Sequence, residues 1–206
     1  MEKTDLKKHY AELYKMPAGK IKITEVPLLQ YIMADGHGDP NNSPLFQTVV
    51  EALYGTAYTM KFMLKKGPLQ ADYTVMPLEG LWWTDDMRFS MEDRTPWKWT
   101  LMILQPEAVT QELFNEATAT LIKKKKGIQL PPDLRLETMH EGLCAQTLHT
   151  GPYSDEPPVI AHMHEWIKQQ GYNLRGKHRE IYLSDMRRTA PEKLKTILRQ
   201  PISPAS

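Results

Sequence analysis

The chain is poor in cysteine: Cys144 is the only one in 206 residues. A lone cysteine excludes an intramolecular disulfide and a multi-cysteine metal site, and such usage is typical of a reducing cytoplasm. Cys144 lies in the strand-like run LCAQTL, which favours a small buried apolar residue over a nucleophile.

Neither sign of charge is in excess, because 26 lysines and arginines nearly balance 25 aspartates and glutamates. Without a global positive field, the sequence favours neither nucleic acid nor an anionic membrane surface as a partner. No run approaches the roughly 20 apolar residues that span a bilayer, and the charged stretch 1–16 contains no signal-peptide core. We therefore expect a cytoplasmic protein.

Several chemical motifs are also missing. The sequence contains no glycine-rich phosphate loop, no Gly-x-Ser-x-Gly elbow and no Cys–His pairing. His162 and His164 stand two residues apart on a predicted helix and face different ways, unlike the i, i+4 pair of a zinc helix. We expect neither a metal nor a cofactor.

The chain is instead rich in soft and aromatic side chains, with 12 methionines, five tryptophans and nine tyrosines. Methionine fills irregular gaps and aromatic rings offer flat surfaces, so together they suit an accommodating apolar cavity. For any single one of them, a place in the core is the simpler interpretation.

Helix signals are clear at three places. Ser43 as N-cap, Pro44 at the first helical position and Gly67 beyond Lys66 predict a helix over 44–66. Further helices are expected over 107–126 and 159–170. The strands predicted from the alternating and apolar runs are 21–33, 71–83, 97–106, 134–150, 178–185 and 195–202. A loop is predicted over 85–96.

These elements repeat in order. An N-terminal helix in 1–20 precedes a first module, 21–127, and a second module, 134–202, each with a strand, a turn containing histidine and glycine, a helix and two strands. We expect a single α+β domain over 1–206. Two pseudo-twofold-related β-α-β-β modules would form an antiparallel sheet with helices on one face and a ligand groove on the other.

Glu180 is the candidate reactive group. In HREIYLSD the side chains alternate, so Glu180 and Tyr182 share one face while Ile181 and Leu183 share the other. The aliphatic pair suits helix packing and the polar pair suits the open face. A carboxylate hemmed by rings is partly desolvated and suited to general acid or base work. The alternative is an edge-strand glutamate in a surface salt bridge with Arg179 or Arg187.

The remaining candidates would supply the walls of the groove and a second polar group. Tyr153 follows a Gly-Pro pair that could bring its phenol to the mouth of the groove. Adjacent Trp82 and Trp83 must point to opposite faces if the chain is extended, so at least one belongs to the core, and the direction of Glu79 stays open. The ligand-binding candidates are Trp82, Trp83, Trp97, Trp99, Tyr73, Tyr58, Phe62 and His37.

The residues of the second module carry a family resemblance. HTGPY, followed by REIYLSDMRRTAPEKLKTILRQPI, resembles the GyrI-like small-molecule-binding domain, and EGLWW with WKWTLMI resembles its stand-alone branch. The resemblance runs from about Lys20 to Ile202. It implies the duplicated fold, and it implies that the glutamate of EIYL, here Glu180, meets the ligand in the groove.

Function is also implied by this resemblance. Some stand-alone members are similar in being cyclopropanoid cyclopropyl hydrolases, which detoxify DNA-alkylating natural products such as yatakemycin. By that likeness Glu180 would activate water, and Tyr153 or Tyr182 would hydrogen-bond the dienone oxygen. The partner would be a flat hydrophobic or cationic small molecule. Binding without turnover, or a gyrase-inhibitor-type interaction module, stays open as the alternative, as does the choice between monomer and dimer.

Overall fold

The computed structural model of the protein describes residues 3–85 and 93–205, so part of the loop predicted over 85–96 lies outside the described residues. The helices are α1 (Leu6–His9), α2 (Ala11–Tyr14), α3 (Pro44–Lys66), α4 (Gln111–Lys124) and α5 (Glu156–Gln169). The strands are β1 (Ile21–His37), β2 (Glu79–Trp83), β3 (Lys98–Gln105), β4 (Arg135–Thr150), β5 (Tyr172–Leu174), β6 (His178–Tyr182) and β7 (Lys195–Pro204). None of the helices in the described ranges combines the length and apolar character needed to traverse a bilayer.

Helix α3 has the bounds that its sequence predicts. The Ser43 hydroxyl accepts a hydrogen bond from the Phe46 amide, and Gly67 ends the helix after Lys66. Helix α4 begins four residues later than expected because Thr110 is the residue whose side chain caps it. Helix α5 begins earlier than expected, at Glu156, since proline is well tolerated in a first helical turn.

Four strands differ from the sequence prediction by three residues or more. Strand β5 was not predicted, and β6 ends at Tyr182 instead of at residue 185. Strand β1 continues past Met33 to His37, pairing with β3 over its second half. The predicted strand 71–83 shrinks to β2, Glu79–Trp83. Pro77 lies in the part that does not pair, consistent with its missing amide donor.

The seven strands of the described chain form one antiparallel sheet in the order β4-β1-β3-β2-β6-β7-β5. Strand β4 also pairs with β7, so the first six strands in this order form a closed ring of paired strands. Each half supplies a β-α-β-β unit, with β1 joined to β4 and β2 joined to β6. The α+β architecture predicted from the repeat is confirmed.

The helix-bearing face of the sheet is the one that carries Glu180. Paired positions on antiparallel strands share a face, and Glu180 pairs with Gly80 on one side and Leu198 on the other. Leu198 packs in the cluster that contains the apolar stripe of α5. Trp82, two residues from Gly80, stacks on Phe46 of α3. The expectation that a groove would lie on the face opposite the helices therefore needs correction: Glu180 lies on the strip of sheet between α3 and α5.

The opposite face of the sheet is filled by a buried network of charges. Arg179 is fully buried, and its Nε donates to Glu79 Oε2 at 2.8 Å. Its other nitrogens donate to Glu141 and to the hydroxyl of Tyr31. Burial raises the pKa of Tyr31, so this phenol stays neutral among the charges. Glu79, whose direction the sequence left open, thus faces Arg179 and away from Glu180.

Helix α2 closes this charged interior from the N-terminal side. The Tyr14 hydroxyl donates to Glu79 Oε1 at 2.6 Å, and the Leu13 carbonyl accepts from Arg199 at 2.8 Å. The predicted N-terminal helix is therefore two short helical turns that supply hydrogen-bond partners to the buried Glu79 and Arg199.

Replacing Arg179 with methionine should lower the free energy of unfolding by about 3–5 kcal/mol, because the change leaves the buried Glu79 without its counter-ion and Glu141 with Arg199 alone. Urea denaturation measures the effect. Arg187, whose ion pair within the described residues is with Asp185 and whose side chain is 80 % exposed, offers the matched control. Arg187→Met should change the free energy of unfolding by no more than about 0.5 kcal/mol. Equal effects of the two substitutions would contradict a structural role for the buried network.

Candidate functional site

Glu180 lies at the centre of the strip between α3 and α5, on a strand with neighbours on both sides. Its side chain is 16 % exposed. The Tyr182 hydroxyl donates to Oε2 at 2.6 Å, and Oε1 lies 3.7 Å from His178 Nε2. The edge-strand salt-bridge interpretation is wrong, because Arg179 points to the opposite face and Arg187 pairs with Asp185.

Trp82, one of the two adjacent tryptophans whose directions the sequence left open, lies beside this carboxylate. Its indole Nε1 donates to the Tyr182 hydroxyl at 3.2 Å. Gly80 leaves room for the Trp82 indole, since a Cβ at residue 80 would lie 2.7 Å from the indole nitrogen. Trp82, Tyr182 and Glu180 thus form a chain of hydrogen bonds that holds one carboxylate oxygen.

The turn before α5 places Tyr153 over the site. Gly151 has a φ of +140°, a conformation that favours glycine, and the His149 ring bonds the Pro152 carbonyl at 3.0 Å. The Tyr153 ring then meets Tyr182 edge-on, with centroids 5.6 Å apart. Burial, followed by the Glu156 carboxyl, raises the pKa of Tyr153 to about 12, so its phenol remains a hydrogen-bond donor.

Glu156 is a member of the site that the sequence analysis missed. It opens α5, is 4 % exposed, and its Oε1 has no hydrogen-bond partner among the described residues. Burial, and then the neighbouring Glu180 carboxylate, raise the pKa of Glu156 to about 9. The spacing of Glu156 in the sequence could have indicated its burial. Glu156, Met163 and Ile167 share one helical face, and the last two are fully buried.

Two histidines were likewise missed as members of the site. His178 is on the same face as Glu180 by strand alternation, a relation that the sequence already contained. His164 of α5 lies near it, and burial followed by His178 lowers the pKa of His164 to about 4. Within the described chain, both ring nitrogens of His178 and Nε2 of His164 lack hydrogen-bond partners.

The other predicted wall residues divide into four groups. Trp97 meets Trp82 edge-on at 5.8 Å and extends the aromatic side of the site. Trp83 points to the opposite face, where Lys177 Nζ lies 3.3 Å above its ring, and together with His37 it lines a separate cavity of about 350 Å³. Trp83 and His37 are therefore not brought to Glu180.

Trp99 and Tyr73 belong to the core. The Trp99 ring is fully buried and packs edge-on against Phe46 at 5.2 Å. The Tyr73 hydroxyl donates to Gln105 at 3.1 Å, at the other end of β3 from the site. Neither residue offers a surface to a ligand at Glu180, because their rings are already covered by protein.

Tyr58 and Phe62 lie on the outside of α3. Their rings stack at 6.5 Å and are 48 % and 50 % exposed, and Tyr54 continues the series at 6.5 Å from Tyr58. Tyr54 lies close enough to Tyr153 to raise its pKa. The exposed rings therefore continue from the site along α3 and do not form its wall.

A comparison with protein families decides the relationship of the chain. The model of the GyrI-like small molecule binding domain matches residues 19–203. The chain belongs to the GyrI-like family. A search of curated proteins returns no match for this GyrI-like chain.

Solved structures show the same fold. An uncharacterized conserved protein from Listeria innocua is 38% identical, with a TM-score of 0.90 over 98% of this chain and 100% of its own. A hydrolase from the same organism is also 38% identical, with a TM-score of 0.88 over the same shares of the two chains. The EcmrR C-terminal domain, 12% identical with a TM-score of 0.55 over 90% of this chain and 98% of its own, shares the GyrI-like fold alone.

Glu156→Gln should make this GyrI-like protein less sensitive to alkaline pH. Because the folded state raises the pKa of Glu156 from 4.5 to about 9, folding takes up a proton in this window and stability falls as pH rises. Each pH unit costs at most about 1.4 kcal/mol, and the neutral amide avoids this cost. Urea unfolding at pH 6 and pH 8 should show that the free energy of unfolding falls less between these two pH values in Glu156→Gln than in the wild type. Glu165→Gln, on the exposed side of α5, is the control, and equal pH slopes for wild type and Glu156→Gln would contradict the raised pKa.

Proposed function

We propose that the protein is a hydrolase that opens the cyclopropane ring of cyclopropanoid DNA-alkylating compounds by adding water, and thereby detoxifies them. The observation that carries the proposal is the position of Glu180. It is a largely buried carboxylate with one oxygen held by Tyr182 and the other directed toward His178. The likeness to a hydrolase at 38% identity supports a hydrolytic reaction.

Glu180 acts as the general base in this proposal. Its Oε2 is fixed by the Tyr182 hydroxyl, which itself accepts from the Trp82 indole. Its other oxygen, Oε1, takes the proton of the attacking water in this proposal. The protonated state of Glu156 favours this role, because a neutral neighbour leaves a single negative charge on the pair.

A tyrosine serves as the hydrogen-bond donor to the dienone oxygen. The sequence pointed to Tyr153 or Tyr182, and the two differ in their contacts. The Tyr182 hydroxyl already donates to Glu180, so we assign it to positioning the base. Tyr153 keeps its proton because of its raised pKa, and we assign it to the carbonyl oxygen, where negative charge grows as the ring opens.

The reaction balances without a cofactor. The water oxygen bonds to the methylene carbon of the cyclopropane as Glu180 removes one of its protons. The ring carbon–carbon bond breaks, and its electron pair moves through the conjugated system to the carbonyl oxygen, which takes up a proton to give a phenol. The product is the substrate plus one water.

The rings around Glu180 suit a flat aromatic substrate. Trp82 and Trp97 stand edge-on to each other on the α3 side, and Tyr153 covers the α5 side. Stacking on aromatic side chains is favourable for planar conjugated ligands and tolerant of their substituents. A cationic ligand would also be attracted by the Glu180 carboxylate.

Incubation of the protein with a cyclopropanoid alkylator should yield many equivalents of a product heavier by one water, detected by mass spectrometry. Glu180→Gln should slow turnover by about 10²–10⁴-fold, because the amide cannot accept the proton. Its affinity, followed by quenching of tryptophan fluorescence, should stay close to that of the wild type. The control Glu165→Gln should turn over at the wild-type rate.

Two outcomes would overturn the proposal. Stoichiometric binding by the wild type without product would make the protein a sequestering protein. Undiminished hydrolysis by Glu180→Gln would remove Glu180 from the role of base.

A further inference from the structure

His178 is the polar residue at the site whose contacts are least complete. It is 7 % exposed, and neither of its ring nitrogens has a hydrogen-bond partner among the described residues. Buried polar groups in native proteins are almost always hydrogen-bonded, so an unpaired buried imidazole needs a reason. It also adjoins Trp82, its cross-strand partner on β2.

The direction of the imidazole supplies a reason for its missing partners. His178 Nε2 lies 3.7 Å from Glu180 Oε1, which is beyond a direct hydrogen bond. The other oxygen, Oε2, already accepts from Tyr182. Glu180 Oε1 and His178 Nε2 therefore lie on the same face of one strand, but they are too far apart for a direct hydrogen bond.

A water molecule fits the chemistry of such a pair. Two acceptors separated by this distance can each take one hydrogen bond of about 2.8 Å from a single water. A water that donates both of its protons in this way keeps its oxygen lone pairs free for attack. An imidazole nitrogen that carries no hydrogen has the lone pair that this arrangement needs.

We propose that His178 is a catalytic residue that, together with Glu180, holds the attacking water. This inference rests on the hydrolysis proposed above and adds a second contact to its nucleophile. One water proton passes to Glu180 Oε1 while the other hydrogen bonds to His178 Nε2. The oxygen forms the bond to the cyclopropane carbon, the electron pair of the broken bond moves to the carbonyl oxygen, and His178 neither gains nor loses a proton.

Substitution of His178 tests the role in turnover. His178→Phe keeps the ring shape but removes the nitrogen, and it should lower kcat for a cyclopropanoid by about 10²-fold with KM within about 3-fold. His178→Gln can accept the same hydrogen bond through its amide oxygen and should recover at least about 10-fold of that loss. His162→Phe, an exposed histidine on α5, should match the wild type.

A kcat for His178→Phe within about 3-fold of the wild type, or a raised KM with unchanged kcat, would overturn the proposal. Thermal unfolding of each variant separates loss of the contact from loss of the fold. If His178→Phe does not fold, the comparison of His178→Gln with the wild type and the structural measurement below decide the matter.

A high-resolution crystal structure of the ligand-free wild type makes the test independent of turnover. A water should lie within about 3.2 Å of both His178 Nε2 and Glu180 Oε1. Its absence would overturn the inference even if the protein hydrolyses cyclopropanoids. Its presence in a wild type that shows no turnover would leave the water site standing and count against the hydrolysis alone.

Discussion

The buried position of Arg179 is the constraint on which the rest of the structure depends. This guanidinium is fully buried and joins carboxylates from β2 and β4 to the phenol of Tyr31. An unpaired charge is costly in such a place, so the register of β6 is fixed to the one in which Arg179 faces the interior. Side chains alternate along a strand, and a slip by one residue would send Glu180 into the charged interior.

One short strand therefore has two different faces. Toward the interior it presents a cation whose partners are all supplied by the protein. Toward the helices it presents His178, Glu180 and Tyr182, where hydrogen bonding is only partly complete. This difference fits a strand whose interior face provides rigidity and whose outer face can contact a small molecule. Membership of the GyrI-like family agrees with that division.

Much of the fold could be predicted from local signals, while the site depended on contacts that cross the chain. Helix α3 followed from Ser43, Pro44 and Gly67, and the duplicated order of elements gave the α+β class. Alternation alone showed that Glu180 and Tyr182 share a face, but it did not show which face the helices cover. Charged side chains usually avoid the interior, and the local sequence does not show that Arg179 is buried. The carboxylates that pair with it lie 38 and 100 residues away in sequence.

The turn that precedes α5 has a consequence for the energetics of recognition. Pro152, Pro157 and Pro158 restrict the backbone on both sides of Tyr153 and Glu156, and the His149 ring ties the first of these prolines in place. A segment restricted in this way has little conformational entropy left to lose when a ligand arrives. The affinity of the site would then depend chiefly on how well a rigid ligand matches its shape. Flexible molecules of the same composition would bind more weakly, because the ordering cost would fall on the ligand alone.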